Sequence, residues 1–222
     1  MDLRSFLRLQ TEEVAALVRA GGEKVCACPI NGTRRWFILE HSSLVKEGGE
    51  GVYLQVLLGK YTEIFQMLFS HGIDTILTPI FGPDLLERGE EYLELAIQGM
   101  KDLVTDERFR EFVRENQVRV RFYGDYVRSF RGTRFEFLLD LFDQLTAETL
   151  QYSRYRLFWG VVGNDATEQV AEIGARYYAR EARPPSRHEI IEAYYGDYVA
   201  PVALFIGFDQ FSAFDMPLLA TG

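Results

Sequence analysis

Five short apolar runs, rich in β-branched and aromatic residues, recur along the sequence and are separated by longer amphipathic stretches. Parallel strands need crossover connections of about a dozen residues or more, usually a helix, whereas hairpins need only a few. The spacing therefore predicts the α/β class, with a central, mostly parallel sheet and helices on both faces. The predicted strands cover residues 24–30, 74–81, 118–124, 156–163 and 203–208.

The stretches between these runs have helical periodicity and recognisable ends. Residues 52–71 repeat apolar side chains at helical spacing and stop before Gly72, a favoured residue just past a helix end. Near the start, Thr11 is expected to cap a helix with Glu12 and Glu13 in its first turn. Further helices are predicted over residues 84–103, 106–116, 133–150, 165–181 and 186–197, the last two with Asn164 and Ser186 as N-caps.

Length and charge limit the classes of function. The 222 residues suffice for one large domain, and no repeat or linker divides them. A formal net charge of −9 argues against nucleic acid as a partner, so any basic site has to be local. No apolar run reaches the ~18 residues of a transmembrane segment, and the first ten residues carry charges where a signal peptide is apolar. The predicted localisation is cytoplasmic.

The two cysteines, Cys26 and Cys28, fall in the first predicted strand. Alternation along a strand puts both on one face, in poor geometry for a disulfide with each other. The histidines, His41, His71 and His188, show no metal-ligand spacing. Both cysteines are therefore predicted to be buried, unreactive thiols.

A glycine turn with two adjacent arginines, Asn31-Gly32-Thr33-Arg34-Arg35, follows the first predicted strand. Ligands of open parallel sheets bind beyond the carboxyl ends of the strands. Glycine permits a close backbone approach, and guanidinium groups match phosphate oxygens in bidentate fashion. Neither a Walker loop nor a G-x-G-x-x-G motif is present. The segment predicts a phosphate or diphosphate site, with a solvated turn as the alternative.

Several segments together resemble one branch of the cis-prenyltransferase (undecaprenyl diphosphate synthase-like) family, which contains tuberculosinol synthase/tuberculosinyl adenosine transferase and kolavelool synthase. The similarity runs nearly end to end and in register, and it implies a cis-prenyltransferase fold that is normally a homodimer. The segments are NGTRRWFILE, FSHGIDTILTPIF, FYGDY, GVVGNDATEQVA, HEIIEAYYGDYV and FIGFDQFSAFDMPLL.

The resemblance also implies a reaction. It predicts a diterpene synthase that ionises a bicyclic C20 allylic diphosphate of the halimadienyl (tuberculosinyl) or kolavenyl type and releases diphosphate. An upstream class II diterpene cyclase would make this substrate, and water would capture the cation to give an alcohol. Two alternatives remain: transfer of the diterpenyl group to adenosine or another nucleophile, and a catalytically dead subunit that binds isoprenoid diphosphates.

Roles follow for the residues around the glycine turn. Breaking the allylic C–O bond develops negative charge on diphosphate, which needs donors already in place. Arg34 and Arg35, with the amides of Gly32 and Thr33, are predicted to bind it, and each well-placed donor contributes roughly 3 kcal/mol to lowering the barrier.

The carbocation is expected to need a dry pocket with aromatic walls, since a desolvated ring face offers roughly 2 kcal/mol. Trp36 and Phe37 follow the arginines and are predicted to contact the substrate, with packing in the core as the alternative. Tyr53 aligns with a catalytic tyrosine of the resembling branch and would position the nucleophile or accept its proton, with a solvated hydroxyl at a helix start as the alternative. Further candidate rings are Phe65, Phe69 and Phe81.

Other polar segments are interpreted conservatively. Residues 164–172 imitate a terpene-synthase metal motif but are better explained as a helix N-terminus. Asp140 and Asp143 are predicted to be a solvated helix face, and Asp125 is either a site residue or part of a turn. The basic stretch 176–189 is interpreted as a polar loop between helices, with a mobile lid as the alternative.

Two positions depart from the family pattern. Ala220 occupies the place of an arginine that holds the second diphosphate in chain-elongating members, which argues against chain elongation. The close branch continues past this point, so a C-terminal strand and helix are expected to be missing. Asn31 stands where the family has the aspartate that organises diphosphate and Mg²⁺. A neutral amide oxygen is a weaker Mg²⁺ ligand than a carboxylate, so the expected Mg²⁺ would be held less tightly.

The asparagine at position 31 marks either a natural change of mechanism or an inactivated variant, and the intact surrounding motif favours the second. We therefore predict that Asn31→Asp raises turnover by orders of magnitude, because it restores the carboxylate. Steady-state diphosphate release with and without Mg²⁺ measures this. Equal or lower rates in the Asp variant would contradict the interpretation.

Overall fold

The computed structural model describes residues 2–30, 32–82, 89–161 and 166–207, and the side chains in these ranges apart from residues 45–50 and 166. Five strands are present within this part of the chain: β1 (Val25–Ala27), β2 (Thr75–Phe81), β3 (Val118–Tyr123), β4 (Tyr155–Val161) and β5 (Val202–Phe205). The helices there are α1 (Leu3–Phe6), α2 (Thr11–Arg19), α3 (Thr33–Glu40), α4 (Ser42–Ser70), α5 (Glu90–Thr105), α6 (Glu107–Glu115), α7 (Tyr126–Phe130), α8 (Phe137–Glu148), α9 (Ala166–Glu181) and α10 (Arg187–Tyr195).

The strands form one sheet in the order β3-β4-β2-β1-β5, and every pairing in it is parallel. The predicted fold class is therefore confirmed. Each predicted strand is found, and β1 and β5 are shorter than predicted at the carboxyl end, where the pairing stops. Residues 162, 163 and 208, which belonged to two predicted strands, lie outside the described residues.

Alternating side chains of the strands divide the core between the two faces of the sheet. Cys26, Ile76 and Trp159 pack with the helices on one face, together with Phe65 and Phe69 of α4. The opposite face is covered by α9 and α10. The strand residues in that second cluster are Val25, Leu77, Tyr123 and Phe158. Helices thus cover both faces, as predicted.

Helix starts differ from the predictions in four places, one of which is α8, which begins at Phe137 rather than at residue 133. Gln10, not Thr11, precedes α2 and forms a capping box with Glu13, so Thr11 is the first helical residue. The stretch 52–71 is the second part of a longer helix, α4, which begins at Ser42. The predicted turn at Gly32–Arg35 is the start of α3.

Other predicted helix ends agree with the structure or fall outside it. Ser186 caps α10 as predicted, with its hydroxyl accepting from the Glu189 amide, and Gly72 follows α4 with a positive φ of 98°. The predicted starts at residue 84 and at Asn164 lie outside the described residues. Within the described ranges, every helix is too short or too polar to cross a bilayer.

Cys26 and Cys28 are fully buried on the same face of the sheet, as predicted. Burial raises the pKa of each thiol to about 12, because the thiolate would lose its hydration. Both groups therefore remain protonated and unreactive in the folded protein at neutral pH.

We predict that the native protein does not react with a thiol-specific disulfide reagent at pH 8, because both sulfurs are buried and protonated. The same protein in denaturant should react at two thiols per chain, as the sequence requires. The pKa of each thiol is higher in the folded than in the unfolded protein. The free energy of unfolding should therefore decrease as pH rises from about 9 to about 12. Rapid labelling of the native protein would contradict the prediction.

Candidate functional site

A cavity of about 740 Å³ opens beyond the carboxyl ends of β1 and β2. This is the edge at which parallel α/β sheets bind ligands. Pro79, Ile80 and Phe81 of β2 line it at the sheet, while α4 and α5 form two further walls. Its volume lies in the upper part of the range of ligand pockets, about 300–1,000 Å³.

One end of the cavity is the N-terminus of α3. Gly32 adopts the left-handed conformation there, with φ 69° and ψ 6°, which a residue with a Cβ disfavours. Its carbonyl accepts the first helical bond from the Trp36 amide at 3.1 Å. Thr33, Arg34 and Arg35 form the first turn, and all three line the cavity.

The charge pattern of α3 differs from that of several other helices. A helix N-terminus carries partial positive charge and normally favours acidic neighbours. The helices α2, α5, α6 and α10 follow this rule with glutamates in their first turns. The first turn of α3 has no acidic residue and contains two arginines instead. Because α3 also begins without a side-chain cap, its first turn is a positive site suited to an anion.

The hydroxyl group of Thr33, at the start of α3, is hydrogen-bonded at 2.8 Å to the hydroxyl group of Tyr53, on the facing part of α4. Burial raises the pKa of Tyr53 above its ordinary value. The hydrogen bond with Thr33 and the charge of Arg34 oppose this shift, whereas Tyr92 adds to it. Tyr53 is therefore a neutral phenol at neutral pH, held in one orientation at the cavity.

The remainder of the cavity is mainly apolar. On α4, Leu54, Leu57, Leu58 and Tyr61 follow one another at helical spacing and face it. On α5, the facing residues also recur every three or four positions. They are Tyr92, Leu95, Ala96, Gly99, Met100 and Leu103.

Two aromatic residues assigned to the site lie elsewhere. Trp36 packs edge-on against His41, with ring centroids 5.2 Å apart. Phe37 is buried, 5.3 Å from the ring of Tyr53. Neither residue lines the cavity. Phe37 follows Thr33 by four residues and so lies one helical turn further along α3, where it packs on Tyr53 rather than in the cavity. Their predicted contact with a substrate stays a prediction.

The other candidate rings divide between core and cavity. Phe65 packs against Trp159 and Phe69 stacks on Tyr155, with centroids 5.4 and 4.3 Å apart, inside the core. Phe81 lines the cavity, as expected of a ring at the carboxyl end of β2.

Sequence reasoning missed Tyr61 and Tyr92, which also line the cavity. Burial raises the pKa of the Tyr61 hydroxyl. The available signal was the helical spacing of Tyr61 from Tyr53 and of Tyr92 from Leu95. That spacing identifies a shared helix face but does not reveal that the faces of α4 and α5 border the same cavity.

The described lining does not form a magnesium site. It contains no carboxylate, imidazole or thiol, and no group of three or more metal-ligating residues occurs in the part of the chain that the structure describes. Mg²⁺ is usually held by one or two carboxylates together with phosphate oxygens. Asn31, the predicted ligand, lies outside the described residues, so the requirement for Mg²⁺ stays a prediction.

The other polar residues singled out in the sequence lie away from the cavity where the structure describes them. Asp125 precedes α7 and accepts from Arg128 Nε at 2.6 Å, and it does not line the cavity. Asp140 and Asp143 are exposed on α8, as predicted. In the basic stretch 176–189, Arg183 binds Glu189, which favours the polar-loop interpretation over a lid. The metal-like motif at 164–172 begins outside the described residues.

We predict that Thr33→Val raises the pKa of Tyr53, because the hydrogen bond with Thr33 lowers it. NMR titration of protein labelled at the tyrosine Cζ measures this, with the resonance assigned from Tyr53→Phe. Thr33→Ser keeps the hydroxyl and should restore the original titration. An unchanged titration in the Val variant would show that the bond does not form in solution.

Comparison with known proteins agrees with this architecture, although no family model matches the chain. The chain is 43% identical over 220 residues to tuberculosinyl adenosine transferase of Mycobacterium tuberculosis (strain CDC 1551 / Oshkosh). The match covers 99% of this chain and 73% of that protein.

Two solved structures share the fold. One is a probable undecaprenyl diphosphate synthase from Campylobacter jejuni, with a TM-score of 0.60 and 12% identity, covering 89% of this chain and 80% of that one. The other is lavandulyl diphosphate synthase from Lavandula x intermedia in complex with dimethylallyl diphosphate, with a TM-score of 0.61 and 15% identity. The match covers 82% of this chain and 72% of that one. The predicted resemblance is confirmed: the chain belongs to the tuberculosinyl adenosine transferase family and has the cis-prenyltransferase fold.

Proposed function

We propose that this protein is a diterpenyl transferase, which cleaves the C–O bond of a bicyclic C20 allylic diphosphate and joins the carbon to a nucleoside. Diphosphate is the leaving group. The observation that carries the proposal is the juxtaposition of Arg34 and Arg35, at the start of α3, with an apolar cavity. A diphosphate and a hydrocarbon joined by one bond match these two environments.

Ionisation of the substrate moves the bonding electron pair onto the bridging oxygen of diphosphate. The two guanidinium groups and the amides at the start of α3 are suited to bind this developing charge, since all of these residues line one end of the cavity. A fixed positive first turn also explains how a protein of net charge −9 can attract a diphosphate.

The allylic cation requires surroundings that neither react with it nor admit water. Leu54, Leu57 and Leu58 are unreactive side chains along the cavity. The rings of Tyr61 and Phe81 add π-faces that favour a nearby cation. Addition of a nucleophile then depends on what lies beside the cation when it forms.

Tyr53 is suited to orient that nucleophile. Its raised pKa keeps the hydroxyl protonated, so it acts as a hydrogen-bonding group rather than as a phenolate base. Thr33 fixes the hydroxyl beside the arginines. A proton lost from the nucleophile can pass to the departing diphosphate, which is the stronger base present.

The choice between a nucleoside and water as nucleophile rests on the relative. The resemblance in sequence predicts water capture, with transfer to adenosine as an alternative. The 43% identical relative is a tuberculosinyl adenosine transferase, so the alternative is now the better supported of the two. Dimerisation and an upstream class II cyclase remain expectations from the family.

The proposed function predicts a lipid-linked nucleoside when the protein is incubated with a bicyclic C20 diphosphate, Mg²⁺ and adenosine. Product mass spectra and diphosphate release measure this. Arg35→Gln should lower kcat/KM by roughly 10²–10³-fold, the usual cost of one aligned donor. Arg114→Gln, on an exposed part of α6 away from the cavity, is the matched control.

Two results would overturn the transferase proposal. An alcohol as the sole product, with or without adenosine, would identify a diterpene synthase instead. Binding of the diphosphate without any release, also after Asn31→Asp, would identify a binding subunit.

A further inference from the structure

Gly99 lies in the interior of α5, where glycine has no evident backbone purpose. Its φ is not positive, so an L-residue could adopt the same conformation. Glycine in a helix interior is less favourable than alanine by about 1 kcal/mol. The reason for glycine here should therefore be sought in the space that a side chain would occupy.

That space lies between two walls of the cavity. A Cβ at position 99 would come within 3.2 Å of Leu54 Cδ2, closer than ordinary van der Waals contact. Gly99 and Leu54 both line the cavity, from α5 and α4 respectively, and Leu54 is buried. A side chain at position 99 would therefore displace Leu54 or fill part of the cavity.

Position 99 lies well inside the apolar part of the cavity. Tyr92 is at the start of α5, and seven residues of helix separate it from Gly99, a rise of roughly 10 Å. Met100 and Leu103 continue the same wall beyond it. A substrate with its diphosphate at Arg34 and Arg35 would pass this point with its hydrocarbon.

We infer that Gly99, opposite Leu54, sets the width of the hydrocarbon compartment and so selects fused-ring over smaller, linear isoprenoid diphosphates. This inference rests on the proposed function for the class of substrate. A fused bicycle is wider than a linear prenyl chain, so the absence of a side chain at this point matters most for the bicycle.

Binding measurements with unreactive analogues test the inference separately from catalysis. We would use calorimetric titration with the thiolodiphosphates of a bicyclic C20 alcohol and of linear C15 farnesol. Gly99→Ala should weaken binding of the bicyclic analogue by roughly 10- to 200-fold relative to the linear one, as one methylene-sized change in an apolar pocket does. A thermal melting curve checks that the variant is folded, since the 3.2 Å approach to Leu54 Cδ2 opposes the gain in helix propensity.

The chain offers a matched control and a converse variant. Gly174, on α9, is also a helical glycine, but a Cβ there meets nothing within 4 Å. Gly174→Ala should therefore leave the ratio of affinities unchanged. Leu54→Val removes a methylene from the opposite wall, so Gly99→Ala/Leu54→Val should regain part of the lost affinity. If Gly99→Ala fails to fold, Leu54→Val alone should shift the ratio of affinities in favour of the bicyclic analogue.

The outcomes separate this inference from the proposed function. An unchanged affinity ratio in folded Gly99→Ala, or equal shifts in Gly99→Ala and Gly174→Ala, would overturn the role of Gly99 even if the wild type is an active transferase. A shifted ratio in a protein that never releases diphosphate would support the role of Gly99 and reject the proposed function.

Discussion

The parallel pairing of β1 with β2 determines where the site forms. Val25 to Ala27 lie opposite Thr75 to Leu77. Two hydrogen bonds extend this pairing past the end of β1. The Cys28 amide donates to the Leu77 carbonyl at 2.8 Å, and the buried Thr78 hydroxyl donates to the Cys28 carbonyl at 2.8 Å. The chain leaving β1 is thereby fixed beside the end of β2, so the first turn of α3 and Phe81 border the same cavity.

Positive charge at the start of α3 is the reverse of the usual pattern for a helix N-terminus. The helix dipole and two arginines have the same sign there, whereas other helices place glutamates at that position. A ligand with several negative oxygens would be attracted by both, and the adjoining leucines would favour its apolar part. Electrostatics and the hydrophobic effect would thus select the two ends of one amphipathic ligand.

The fold could be predicted to a greater extent than the site. Buried parallel strands are nearly continuous apolar runs, so their positions are local features of the sequence. The start of α4 was missed because Gly48, Gly49 and Gly51 disfavour a helix, and tertiary context overrides that propensity. Cavity residues such as Tyr92 and Gly99 depend on how α4 and α5 meet, a non-local relation that periodicity alone does not contain. Arg34 and Arg35 could be predicted as site residues because they belong to a local motif, the glycine turn that follows the first strand.

The neutrality of Tyr53 has a consequence for product choice. A phenolate base would activate water as readily as any other nucleophile, and water is always the more abundant. A protonated hydroxyl, buried and bonded to Thr33, can favour a partner only by hydrogen bonding and shape. Under the proposed function, selection between water and a nucleoside would depend on which one lies beside the allylic carbon when the C–O bond breaks. A transferase and a synthase that share such a cavity would then differ in its occupancy rather than in the chemistry of ionisation.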